Sequence, residues 1–303
     1  MDTNPDLETA QAALLARCAP DTRVRRIRWS QGETQLLELG AGPPLLLVHG
    51  GLDCALDWVP ILPALARHHR VLAVDRPGHG LADSFDYRRV EFLDHGRTFL
   101  RDVLDALDLD AVDIVANSLG GLLSLALALG APSRVSRLVL AGKPMGCDSH
   151  VPLMLLPLGI PLIGETLGRW LLSNPTREGN RKFWAEIQVA HAERLEDTLL
   201  DADVAHQRRN LDGMLGMVKC IAGFLGLRRS LVLGDRWRAL KMPTLFIWGD
   251  RDRFGPPEQG EAIAAQNPML ELVRIPGAGH LPWLDDADRV VGEIERFLSR
   301  PRA

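Results

Sequence analysis

Short β-type runs alternate along this chain with longer stretches whose apolar positions recur every three or four residues. The short runs lie at 22–29, 33–39, 45–48, 71–74, 112–115, 137–140, 244–248 and 272–275, and helical spacing follows several of them, most plainly at 89–107 and from Ser118 to about Gly130. Eight strands interleaved with helices predict an α/β fold: a mostly parallel sheet covered on both faces. Residues 6–18 read as a short amphipathic helix with Leu7, Ala10, Leu14 and Cys18 on one side. The alternation stops after Gly142 and resumes at Pro243, and the intervening helical periods are broken by Pro and Gly. That pattern predicts a core of residues 1–142 and 241–303, with 1–20 as a helical extension, and an inserted helical cap over 143–240. In open α/β sheets ligands bind beyond the strand C-termini, which is where such a cap would lie.

Four of the predicted strands end in residues that carry chemistry. Leu45-Leu46-Leu47-Val48 runs into His49-Gly50-Gly51, and Val112 to Val115 runs into Ala116-Asn117-Ser118-Leu119-Gly120-Gly121. Thr244 to Trp248 leads to Gly249-Asp250-Arg251-Asp252, and Leu272 to Ile275 leads to Pro276-Gly277-Ala278-Gly279-His280. A serine at a sharp strand-to-helix turn holds its Oγ clear of the sheet and tolerates only small neighbours two positions away, here Ala116 and Gly120. A serine hydroxyl is too weak an acid to attack a carbonyl at neutral pH without a base, and histidine is the side chain whose ordinary pKa suits that task. His280 is the expected base. Attack also creates an oxyanion that needs preorganised donors, for which backbone N–H groups after the nucleophile and in the loop after His49 are the source.

The order nucleophile, acid, histidine, with the His-Gly-Gly, Ser elbow, Gly-x-x-Asp and Gly-x-Gly-His elements, resembles the α/β-hydrolase superfamily from about residue 22 onward. The resemblance implies a Ser118–His280–Asp252 triad, with Asp250 as the competing acid and Asp148 a distant third. It also implies an oxyanion hole from the N–H groups of Leu119 and of Gly51, with Leu52 as the alternative to Gly51. His49 and His79, the latter in the family's Asp-x-x-Gly-x-Gly turn, are expected to shape loops. His68 and His69 are expected to close a surface helix, and His191 and His206 to be solvated cap residues. Superfamily members that open epoxides or displace halide use an aspartate at the elbow, so a serine points to acyl transfer. Asn117 resembles the elbow of hydrolases acting on aromatic ring meta-cleavage products. Two departures weaken that likeness: the Gly50-Gly51-Leu52-Asp53 loop is poorer in Gly and Pro, and Leu281 stands where a tryptophan usually follows the histidine. Carboxylic-ester hydrolysis is therefore ranked first, carbon–carbon hydrolysis second, and a silent ligand-binding member of the fold third.

Composition changes this picture only by exclusion. Of 303 residues 46% are hydrophobic and 24% charged, enough for a large core, and a net charge of −4 gives no broad attraction to nucleic acid. Arg23, Arg25, Arg26 and Arg28 alternate with Val24, Ile27 and Trp29 as the solvated face of an edge strand. Four scattered cysteines and an acidic N-terminus predict a reduced, cytoplasmic protein without a secretory signal. No His/Asp/Glu spacing suggests a metal, and no organic cofactor is expected. The expected partner is a small apolar acyl or ester substrate. Val151 to Ile163, interrupted by Pro152, Pro157 and Pro161, is too short to span a bilayer and is assigned to the lining of an apolar pocket. Met214, Met217, Cys220, Phe224 and Leu227 recur at helical spacing and read first as core.

Overall fold

The structure, a computed structural model, describes residues 5–160, 163–223 and 226–300. Its main sheet has strands β1 (Arg23–Trp29), β2 (Gly32–Leu39), β3 (Pro44–Val48), β4 (Arg70–Val74), β5 (Val112–Ala116), β6 (Val135–Ala141), β7 (Thr244–Gly249) and β8 (Leu270–Ile275). They lie in the order β1-β2-β4-β3-β5-β6-β7-β8, with β1 and β2 antiparallel and every pairing from β4 to β8 parallel. The central strands are short and apolar throughout because both faces are covered. Along β3, Leu45 and Leu47 join one buried cluster while Leu46 and Val48 join the other. Each such fully buried leucine contributes about 2 kcal/mol relative to exposure.

Helices α1 (Leu7–Cys18), α2 (Phe92–Ala106) and α3 (Ser118–Gly130) belong to the first half of the chain. Between β6 and β7 the chain forms α4 (Gly164–Leu172), α5 (Arg177–Ile187) and α6 (Asp197–Ile221), short 3-10 turns, and a small hairpin pairing Ala222–Gly223 with Gly226–Leu227. Helices α7 (Pro257–Ala264) and α8 (Ala287–Leu298) complete the fold. This segment packs against the rest: Leu199, Leu200, Ala202 and Ala205 of α6 share a buried cluster with Leu7 and Leu14 of α1 and with Trp58. Among the described residues no helix is long and apolar enough to cross a membrane.

Local corrections concern residues near edges and ends. Val24 is 48% exposed, because β1 has a neighbour on one side only, and the alternation of burial begins at Ile27. The edge arginines are nonetheless compensated, Arg25 by Glu38, Arg26 by Asp83 and Arg28 by Glu33. Cys18 is only partly buried at the end of α1. His68 is exposed, but His69 is buried with its Nε2 3.2 Å from a Glu295 carboxylate oxygen, so it is an internal tether and not a surface residue. His206 is buried, not solvated: its Nδ1 accepts from the Gly80 amide at 3.1 Å, tying α6 to the turn after β4.

Candidate active site

Strand β5 stops at Ala116, and Asn117 is still extended with φ −112° and ψ 142°. Ser118 then takes φ +48°, a left-handed conformation that a residue with a Cβ adopts only under constraint. Helix α3 starts at that residue, so the serine stands at the crest of the turn with the unpartnered amides of a helix N-terminus behind it. Gly120 permits this because a Cβ there would come within 2.5 Å of the Val48 carbonyl oxygen, and closer to that of His49. The Asn117 amide donates to the Ala141 carbonyl at 2.7 Å and to the His280 carbonyl at 3.1 Å. One side chain therefore joins the elbow to the end of β6 and to the loop after β8.

That loop delivers His280, whose Nδ1 lies 3.0 and 2.9 Å from the two carboxylate oxygens of Asp252, beyond the end of β7. The same carboxylate accepts the backbone amides of Lys143 at 2.9 Å and Phe254 at 2.8 Å. A carboxylate so surrounded by donors requires Nδ1 to carry the proton, leaving Nε2 as an acceptor. That Nε2 is buried and has no hydrogen-bond partner. The Phe254 ring stacks on the imidazole with centroids 4.0 Å apart. Asp250 is occupied elsewhere, accepting the Gly277 amide at 2.7 Å, and Asp148 binds the Lys143 ammonium at 2.8 Å. Of the three candidate acids, Asp252 is the one at His280. Ser118 and His280 are almost wholly buried and line one cavity.

The loop after β3 is held by a group that sequence reasoning passed over. Arg76, with 0% exposure, donates through Nη2 to the carbonyls of both Gly50 and Gly51, the latter at 2.9 Å. His79 adds a contact from Nε2 to the Gly51 carbonyl at 3.0 Å, and the Arg76 amide donates to His49 Nε2 at 2.9 Å. Because trans peptides are planar, turning two successive carbonyls toward one guanidinium turns the N–H groups of Gly51 and Leu52 away from it. Gly51 and Leu52 both line the cavity, and a Cβ on Gly51 would lie 4.0 Å from that of Leu119. Gly51, Leu52 and Leu119 thus lie close together beside the cavity, without a choice between Gly51 and Leu52. Burial and the Arg76 charge push the imidazoles of His49 and His79 well below the usual histidine range, so both are neutral loop-shapers. Arg76 itself, in the Asp-x-x-Gly-x-Gly stretch, could have been found by asking what holds the glycine carbonyls.

The cavity encloses about 740 Å³ of non-atom space, part of it open to solvent. Val151, Leu155, Leu156 and Leu158 line it, as the apolar segment predicts, whereas Leu153, Met154, Ile160 and Ile163 of that stretch face solvent. From the helical stripe, Met217 and Leu227 line it, Met214 is packed in the interior and Cys220 is half-buried. Phe224 and Pro161 lie outside the described residues. No lysine or arginine lines this cavity among the described residues, and its polar side chains are Asp53, Ser118, Gln188 and His280. Among those residues no cluster of three His, Cys, Asp or Glu could hold a metal ion.

Comparison with known proteins agrees with this architecture. A 2-hydroxy-6-oxononadienedioate/2-hydroxy-6-oxononatrienedioate hydrolase of Cupriavidus pinatubonensis is 32% identical over 266 residues, covering 86% of this chain and 89% of its own. Its namesake from Paraburkholderia xenovorans is 30% identical, covering 93% and 96%. Among solved structures, naproxen esterase from Bacillus subtilis superposes with TM-score 0.76 at 20% identity over 99% of both chains. The 2-hydroxy-6-oxo-6-phenylhexa-2,4-dienoate hydrolase of Rhodococcus does so with TM-score 0.72 at 21% identity, over 92% of this chain and all of that one. At such identities the structural likeness speaks for the fold alone. The family model described as the alpha/beta hydrolase fold matches residues 43–287, and with the sheet order and the curated relatives it places this chain in the α/β-hydrolase family.

Proposed function

We propose that the protein is a serine hydrolase that cleaves carboxylic esters of small to medium apolar substrates through an acyl-enzyme. In this reading Ser118 attacks the ester carbonyl while His280 Nε2 takes its proton, and Asp252 holds the imidazole in the required tautomer and stabilises the imidazolium. The stacked Phe254 ring favours that cation further. The oxyanion is received by the N–H of Leu119 and by that of Gly51 or Leu52, and removing one such donor costs about 3 kcal/mol of transition-state stabilisation. His280 then returns the proton to the leaving alcohol, and water repeats the sequence to free the acid. Residues 143–240 act as a cap that excludes bulk water from the acyl-enzyme.

The observation that carries the ester reading is the apolar cavity beside Ser118 and His280, with no cation among its described lining residues. A dioate substrate of the kind named for the curated relatives brings two carboxylates, each of which would be buried there unpaired. A second reading, hydrolysis of a carbon–carbon bond next to a ketone, is favoured by the names of those relatives at 30–32% identity. Lys143 lines a small adjoining recess together with Ser118, but its ammonium is already bound to Asp148 and to the Phe254 carbonyl. Steady-state rates on a series of 4-nitrophenyl esters and on a dienone ring-cleavage product test the ranking. The ester reading expects the larger kcat/KM on an apolar ester; a preference for the dienone by orders of magnitude replaces it with the second.

A further inference from the structure

The mechanism leaves one polar feature of the cavity unused. Asp53 is buried in the loop after β3, yet it lines the cavity with Ser118 and His280. Its Oδ1 accepts the Gln188 amide N–H at 2.9 Å, across from the end of α5. That bond fixes which way the Gln188 amide faces, because a carboxylate needs the NH2 end. Gln188 Oε1 is consequently left buried, 4% exposed as a residue, with no partner. A buried acceptor without a donor costs about 1–3 kcal/mol; Gln188 lines the cavity, so a ligand donor that reached Oε1 would relieve that cost.

Resting on the acyl-enzyme reading for the chemistry alone, we infer that Asp53 and Gln188 form an acceptor subsite within the greasy cavity. It takes a hydrogen-bond-donating substituent of the substrate, a hydroxyl or an ammonium, and it turns away a carboxylate. Two features set the selectivity. Both side chains line the cavity, and no lysine or arginine stands with them among its described lining residues, the nearby Arg76 being turned to the Gly50 and Gly51 carbonyls outside that lining. A substrate carboxylate entering here would meet a second carboxyl group in a desolvated space, while a hydroxyl would satisfy Oε1. Burial raises the Asp53 pKa to about 6, opposed by the nearby His280 and Arg76.

The test is binding, read by calorimetry, of matched primary amides whose far end is methyl, hydroxymethyl, ammonium or carboxylate, in chain lengths from butanamide to octanamide so that reach is sampled. The wild-type protein is expected to bind the best hydroxyl or ammonium member at least about tenfold more tightly than its carboxylate counterpart. In Asp53→Asn that gap closes by about tenfold while affinity for the methyl-ended amide stays within about twofold. Gln188→Leu, which keeps the loop carboxylate, is expected to lose the hydroxyl preference, and it serves if the Asp53 variant does not fold. Equal affinity for carboxylate and hydroxyl members in the wild type, or an unchanged ratio in the folded variants, overturns the inference. Discrimination without any ester turnover would instead fell the acyl-enzyme reading and leave the subsite standing.

Discussion

At the scale of single residues the proposed chemistry depends on groups acting as a unit. Ser118→Ala and His280→Ala are each expected to lower kcat on an apolar ester by about a thousandfold or more, and by similar factors. A mild effect of the histidine change would show that another base serves Ser118. Arg76 offers a sharper test of geometry. Its guanidinium is fully buried, and its Nε and Nη1 find no partner. A cation kept there against the cost of desolvation is balanced by the nearby Asp53 and Asp75 carboxylates and holds the two glycine carbonyls. Arg76→Met should therefore lower kcat about a hundredfold with little change in KM, provided circular dichroism shows the variant folded. A rise in KM alone would mean that Arg76 supports binding and not the donors. The serine, the histidine and the favoured aspartate were legible in the sequence because each follows a strand end with a glycine within three residues. Phe254 and Gln188 were not, and Arg76 was marked only by its place in the Asp-x-x-Gly-x-Gly stretch, since little in the local sequence marks a side chain whose partners are distant in the chain.

At the scale of elements, the approach of α3 to β3 decides whether the elbow forms. The helix begins at the serine, and its third residue lies on the carbonyls that end β3, so only hydrogen fits at Gly120. Gly120→Ala is expected to cost several kcal/mol of stability and to abolish activity, as read by urea denaturation together with ester turnover. Retention of both would mean that α3 can shift without disturbing Ser118. The strands and α3 follow from the apolar pattern within a residue or two at most ends. Burial along β1 does not, because an edge strand leaves Val24 uncovered whatever its alternation suggests. The 151–163 segment shows the same limit, since its sequence announces an apolar stretch and only the fold divides it between cavity and solvent.

For the whole molecule, buried ionisable groups give stability a dependence on pH whose sign can be worked out. Burial lowers the pKa of His95 to about 4, where the side chain sits among Trp29, Phe85 and Tyr87 with a buried Nδ1 that has no partner. The folded state keeps it neutral while the unfolded chain takes a proton below about pH 6.5, so its contribution is full above that pH and lost as pH falls toward 4. Asp75, raised to about 6 by burial, acts in the opposite sense, its contribution being lost as pH rises from the ordinary carboxylate range through 6. His95→Phe isolates the first effect. Relative to the wild type it should gain about 2–3 kcal/mol between pH 7 and pH 4 in urea denaturation, and a difference independent of pH would show that His95 titrates alike in the folded and unfolded protein.

The sequence by itself determined the order of strands and helices, the sharp turn at Ser118, and the chain order of serine, aspartate and histidine, because local periodicity and glycine placement are written in consecutive residues. Only the tertiary structure decided that Asp252 rather than Asp250 or Asp148 meets His280, that one buried arginine holds the loop after β3, and that the cavity is apolar with an acidic corner. Those outcomes depend on which side chains converge from strands and helices far apart in the chain. Convergence is set by sheet order and packing, which no window of neighbouring residues encodes.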